Sequence, residues 1–166
     1  MIDAYTDGAS RGNPGPGGYG VVLKSGVHYK ELSEGYLCTT NNRMELLAVI
    51  KALEAVKKGN SLVRIYSDSL YVCDAVNKGW LFDWEKKRFK NKKNQDLWIR
   101  FLELYRKHRV IFIWIKGHAG HPENERCDRL AVEASFKKEL LSDEGYIRYL
   151  QENNPDSGAT DQILPL

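Results

Sequence analysis

Short runs of β-forming residues broken by Gly and Ser open the chain, and apolar spacings of three and four dominate its middle. Ile2 to Thr6, Tyr19 to Lys24 and Val27 to Tyr36 read as strands, with Ser25 and Gly26 turning between the second and third. Such short connections predict antiparallel pairing, since a parallel return needs a long crossover. Leu46, Val49, Ile50, Leu53 and Val56 fall at helical spacing up to Gly59. Leu62 to Ser67 predicts a fourth strand, Ser69 to Asn77 a short helix and Leu97 to His108 a longer one. Val110 to Ile115 predicts a fifth strand, and Glu123 to Leu140 a last long helix. Three strands followed by alternating helices and strands describe an α/β chain with a mixed sheet and helices packed on it.

Composition narrows the class. A chain of 166 residues with 42% hydrophobic and 28% charged residues is expected to fold as one domain. No apolar run approaches the roughly 18 residues of a membrane span, and MIDAYTD is too acidic for a secretory signal, so a cytoplasmic monomer is expected. Cys38, Cys73 and Cys127 are too widely spaced for a zinc knuckle or a disulfide framework, and read as thiols in the interior. The net charge of +3 identifies no partner, but EKKRFKNKK, from Glu85 to Lys93, holds six basic residues against one acid. Trp80, Phe82, Trp84 and Phe89 interleave with these cations, which changes a solvated charge run into a candidate surface for phosphates and sugars.

The acids fall where chemistry is expected. Asp7 ends the first strand and Asp68 the fourth, and in α/β sheets ligands sit beyond the carboxyl ends of strands. Glu45 lies in the first turn of the helix opened by TTNNRME, and Asp128 follows the GHAGHPENER loop. Carboxylates brought together repel unless a cation joins them, and oxygen donors suit Mg²⁺ or Mn²⁺. Each acid also has a structural reading. Glu45 could close a capping box with Asn42, Asp68 could cap the next helix, Asp7 could fix the glycine turn, and Asp128 could pair with Arg126 or Arg129. His118 could share zinc with His121 and Cys127, although the acids nearby favour harder ions.

Four words decide between these readings. TDGASRGNPGPGGYG, TTNNRMEL, SDSLYV and KGHAGHPENERCDRLA, in that order from Asp7 to about Ala134, resemble a type 1 ribonuclease H of the bacterial kind. The resemblance implies a five-stranded mixed sheet, three antiparallel strands then two parallel, with helices on both faces. It implies endonucleolytic cleavage of the RNA strand of RNA/DNA hybrids, leaving 5′-phosphate and 3′-hydroxyl ends, with two Mg²⁺ ions held alongside substrate. It makes Asp7, Glu45, Asp68 and Asp128 the metal-binding acids and His118 the catalytic histidine. A hybrid-binding module without catalysis is the alternative, and retention of all five residues speaks against it.

The same resemblance assigns substrate contacts. Backbone near Gly8 and Ser10, with Asn13, Asn41, Arg43 and Glu45, is expected to meet the 2′-hydroxyls, and Thr40 and Asn94 a phosphate of the DNA strand. Trp84 is expected beside a DNA sugar, with Trp80, Lys86, Lys87 and Arg88 completing the basic handle. Six glycines between Gly8 and Gly20 are expected to let the duplex approach the backbone. Two departures lower the expected affinity: Cys38 stands at a position many relatives fill with a basic residue and Leu70 at one they fill with a polar residue; the handle after Trp84 is also several residues shorter than the usual bacterial one. Residues 1–141 form the expected catalytic domain and 142–166 a C-terminal extension, which is expected to dock through Tyr146, Ile147, Tyr149, Leu150, Ile163, Leu164 and Leu166.

Overall fold

The computed structural model describes residues 1–154. Strands β1 (Ile2–Ser10), β2 (Gly15–Ser25) and β3 (His28–Thr39) pair antiparallel, while β4 (Leu62–Ser67) and β5 (Arg109–Trp114) extend the sheet in parallel from β1. The resulting order is β3-β2-β1-β4-β5, as expected from the run of hairpins followed by crossovers. Helices α1 (Asn41–Glu54), α2 (Leu70–Asn77), α3 (Trp80–Lys86) and α4 (Gln95–Tyr105) make the crossovers, and α5 (Pro122–Ser135) and α6 (Glu144–Asn153) follow β5. Strand alternation separates two cores. Val21 packs in the large cluster with Met44, Leu47 and Phe101, while adjacent Val22 packs with Cys127 and Leu130 of α5. Helices therefore cover both faces. No helix among the described residues is long and apolar enough to cross a membrane.

The glycine-rich stretch is a β ladder through most of its length. Gly8 pairs with Tyr19, Ala9 with Gly18 and Ser10 with Gly17, so only the tip between β1 and β2 is a loop. Its glycines admit helices. A Cβ on Gly8 would lie 2.3 Å from the backbone nitrogen of Glu45 in α1, and one on Gly20 would lie 2.1 Å from the Cys127 carbonyl oxygen in α5. Gly8 and Gly20, expected from sequence to open the backbone to a duplex, make room for α1 and α5.

Helix boundaries bring three further corrections. Thr40, not Asn42, caps α1, its hydroxyl accepting from the Arg43 amide at 3.2 Å, and Glu45 lies beyond the first turn. Ser69, not Asp68, caps α2. The last long helix stops at Ser135 rather than Leu140, because Leu141 pairs with the edge of β3: its amide donates to Gly35 O at 2.9 Å and its carbonyl accepts from the Leu37 amide at 2.8 Å.

That pairing leads the chain into α6. Asp143 caps it, accepting from the Tyr146 amide, and Tyr146 and Ile147 are buried. Ile163, Leu164 and Leu166 lie outside the described residues. Of the cysteines, Cys73 and Cys127 are buried and Cys38 half-buried, all as free thiols.

Candidate active site

Register places the first two acids. The parallel ladder between β1 and β4 ends with Thr6 opposite Ser67, so Asp7 and Asp68 are the next residues on neighbouring strands and leave the ladder at one level. Close packing of α1 on Gly8 brings Glu45 to the same point. One carboxylate oxygen from each of Asp7, Glu45 and Asp68 lies within 4.8 Å of the others. Asp7 and Glu45 are only 5% and 6% exposed.

Burial and crowding raise the proton affinity of this pair. Desolvation, then the charge of Asp68, pushes the Asp7 carboxyl up to about 7, against the opposing pull of the Gly8 amide, which donates to Asp7 Oδ1 at 2.9 Å. Glu45 is held well above the usual carboxylate range, first by burial and then by Asp7. Glu45 Oε2 is buried without a hydrogen-bond partner. Buried acceptors of this kind are ordinarily satisfied. Three convergent carboxylates with an unsatisfied oxygen fit a hard divalent cation, and Asp7, Glu45 and Asp68 would hold it.

Asp128 and His118 flank the cluster. Asp128, half-buried on α5, raises the Asp7 pKa through its charge, but lies outside the set that converges within 4.8 Å. Neither arginine suggested by sequence takes it: Arg126 pairs with Glu31, its Nε donating at 2.7 Å, and Arg129 makes no ion pair among the described residues. His118 is exposed in a left-handed conformation, φ 54°, on the loop between β5 and α5. Gly117 beside it packs on Asp68, where a Cβ would sit 2.6 Å from Oδ2. The histidine therefore stands one residue from a member of the cluster.

The sequence profile of the RNase H family matches residues 2–136, which take in all five strands, the clustered acids, His118 and Asp128. The chain belongs to the RNase H family. It is 55% identical over 151 residues to a ribonuclease H of Syntrophus aciditrophicus, spanning 88% of this chain and 87% of that protein. It is likewise 55% identical over 150 residues to a ribonuclease H of Trichodesmium erythraeum, spanning 87% and 95%. Among solved structures, LC9-RNase H1, a type 1 RNase H with the type 2 active-site motif, is similar with a TM-score of 0.73 at 31% identity, over 98% of this chain and 85% of that one. LC11-RNase H1, solved in complex with an RNA/DNA hybrid, is similar with a TM-score of 0.64 at 28% identity, over 81% and 96%.

On the RNase H frame, the residues expected to meet substrate are not equally available to it. Asn13 and Asn41 are joined, the Asn41 backbone N–H donating to Asn13 Oδ1 at 3.0 Å, and with half-buried Ser10 they border the tip of the β1–β2 turn. Thr40 and Asn94 lie at either end of a polar network, but the Asn94 amide is already engaged: Oδ1 accepts from Arg43 Nη1 at 3.3 Å, and Nδ2 donates to the Tyr71 hydroxyl at 2.9 Å. Gly8 is buried against α1.

Arg43 departs from expectation. It is 2% exposed, and its guanidinium donates to both carboxylate oxygens of Asp143 and both of Asp96, so it braces the fold instead of facing a ligand.

The handle is a short helix followed by a knob. Trp80 is exposed at the start of α3 with Lys78 Nζ 5.1 Å from its ring centre, and half-buried Trp84 meets Trp98 edge-on at 5.8 Å. After α3, Arg88, Phe89, Asn91 and Asn94 all take left-handed conformations, with Phe89 buried as an anchor. Lys86, Lys87 and Arg88 remain exposed around it.

Sequence reading missed three contributors. Asn124, 3% exposed, donates to Asp68 Oδ2 at 3.5 Å, and a polar residue within the GHPENERCD word was its visible signal. Asp143 is announced by an acid placed just before Tyr146, Ile147 and Leu150 at helical spacing. Trp98, whose Nε1 donates to the Tyr71 hydroxyl at 2.9 Å beneath Trp84, carries no local signal beyond its place in an apolar helix face.

Proposed function

We propose that this protein is an endoribonuclease that hydrolyses the RNA strand of RNA/DNA hybrids, with two Mg²⁺ ions, leaving 5′-phosphate and 3′-hydroxyl ends. The observation that carries the reading is the convergence of Asp7, Glu45 and Asp68, with Glu45 Oε2 unsatisfied, in a chain of the RNase H family. The hybrid bound to LC11-RNase H1 supports the choice of substrate. When bound, two divalent ions lower the pKa of an attacking water and stabilise the oxygen that leaves.

The chain's own residues set the rest. Asp7, Glu45 and Asp68 supply oxygens already held together by the sheet and α1, and Asp128 offers a fourth carboxylate at the rim. Preformed burial of the first two keeps bulk water from competing for those oxygens. His118, exposed on its loop, is placed to pass a proton between the reacting centre and solvent. Asn13 and Asn41 offer polar groups for the 2′-hydroxyl that separates RNA from DNA. Trp84 and the cations after it offer a face and charges to the second strand.

The test is an end-labelled RNA/DNA hybrid incubated with the full chain and Mg²⁺. Cuts within the RNA strand alone, giving products extendable at their 3′ ends, are expected. Bound but intact hybrid selects a binding module, and cleavage of the DNA strand overturns the substrate assignment.

A further inference from the structure

A polar cleft of about 700 Å³ opens between the start of α4, the segment 91–94 and α6. Its position is informative because it shares Asn94 with the expected substrate surface and continues the basic handle, yet its far wall is α6, beyond residues 2–136 matched by the family profile. Its charges are unequal in availability. Asp96 is already held by Arg43, which leaves Lys92, Lys93 and Arg148 against Glu152. Lys92 is occupied only by the Trp84 ring, 4.9 Å from its centre, and Lys93 and Arg148 have no partner among the described residues. Three cations facing one acid across a cleft favour an anion. The planar fork of Arg148 suits a phosphate in particular.

We propose that this cleft seats a backbone phosphate of the bound duplex away from the scissile position, with Arg148 as its principal contact. Helix α6 thereby becomes part of the nucleic-acid surface. The proposal rests on the hybrid reading above. Geometry favours it over a merely solvated helix face: buried Tyr146 and Ile147 anchor α6, Gly145 lies against Asp96, and Arg148 is exposed where it lines the cleft.

The experiment measures hybrid binding without divalent ions over a range of salt, in full-length Arg148→Ala, Lys93→Ala, the double variant and Glu152→Gln. Each cation lost should weaken binding roughly threefold to tenfold at low salt and lower the logarithmic salt slope by roughly 0.7 to 0.9. Glu152→Gln should tighten binding, since it removes the opposing charge. The KM for hybrid should move much more than kcat, because none of the four touches the clustered acids. Unchanged slopes in folded variants of a chain that cleaves hybrid overturn the cleft alone. A natural chain that neither binds nor cleaves hybrid overturns both the cleft and the activity.

Discussion

Arg43 and Asp143, on α1 and at the cap of α6, form a doubly bonded ion pair, with Arg43 Nε donating to Asp143 Oδ2 at 2.7 Å and Nη2 to Oδ1 at 2.8 Å. The partners are only 2% and 8% exposed, so the pair is sealed from water. Asp143 also accepts from the Thr39 hydroxyl at 2.8 Å and from the Tyr146 amide. Asp143→Ala removes two of the four carboxylate bonds that hold a buried guanidinium, leaving Asp96 as its counter-charge, and uncaps α6 together. A loss of roughly 2–4 kcal/mol in urea unfolding is expected from the lost charged hydrogen bonds and the lost cap, with cleavage per folded molecule retained. An unchanged midpoint sinks this account of how α6 is held, and lost cleavage in a folded variant returns Arg43 to the substrate surface.

Asp7 gives the stability of the metal-free protein a pH dependence of definite sign. Its carboxyl is raised from 3.8 to about 7, so across that interval the folded chain keeps a proton the unfolded chain has lost. The contribution of Asp7 to stability is therefore fully present below about pH 4 and declines as pH rises toward 7. In chelator, Asp7→Asn should flatten this decline and exceed the natural chain at pH 7 by roughly 2–4 kcal/mol. Mg²⁺ should restore much of the loss in the natural chain and little in the variant. Equal urea midpoints for the two proteins across the interval would falsify the burial of a strained carboxylate.

The cluster was legible in the sequence because two parallel strands paired up to Thr6 and Ser67 must bring the next residue of each together, and Asp7 and Asp68 are those residues, although β1 itself runs on to Ser10. Arg43 was not, because its partners lie 53 and 100 residues further along and no local word announces them. The glycines were visible but their use was not. A close approach by α1 or α5 is a tertiary fact, and Gly8 and Gly20 look alike in sequence whether a helix or a nucleic acid lies over them. Helix α6 was readable from its cap and apolar spacing, but the linker-like composition that follows it masked the signal. With seven residues, α3 is too short to show a period.

His118 and Asp7 should separate in kinetics. Asp7→Asn removes charge from the cation site and should abolish turnover while hybrid binding persists, since the handle is untouched. His118→Ala should leave a slow rate, reduced on the order of 10² to 10⁴-fold, as loss of proton-transfer help does. Complete inactivity of folded His118→Ala would assign the imidazole to cation binding, and full activity would remove it from the reaction.

Gly20 tests whether α5 is positioned by the sheet closely enough to matter for chemistry. A methyl group there would fall 2.1 Å from the Cys127 carbonyl oxygen and 2.9 Å from Leu130 Cβ, and a backbone carbonyl cannot swing aside as a flexible side chain can. In Gly20→Ala, α5 must retreat, and Asp128, the residue after Cys127, must retreat with it. Overpacking of this kind costs roughly 1–3 kcal/mol. The fall in Tm should be accompanied by a higher Mg²⁺ requirement for half-maximal cleavage, because one carboxylate has moved from the rim of the cluster. Gly59→Ala is the control, since nothing lies within 4 Å of a Cβ there. That substitution should leave the metal requirement unchanged and stability equal or slightly higher. A Gly20→Ala protein with lowered Tm but the natural metal requirement would show that Asp128 acts independently of the α5 seat.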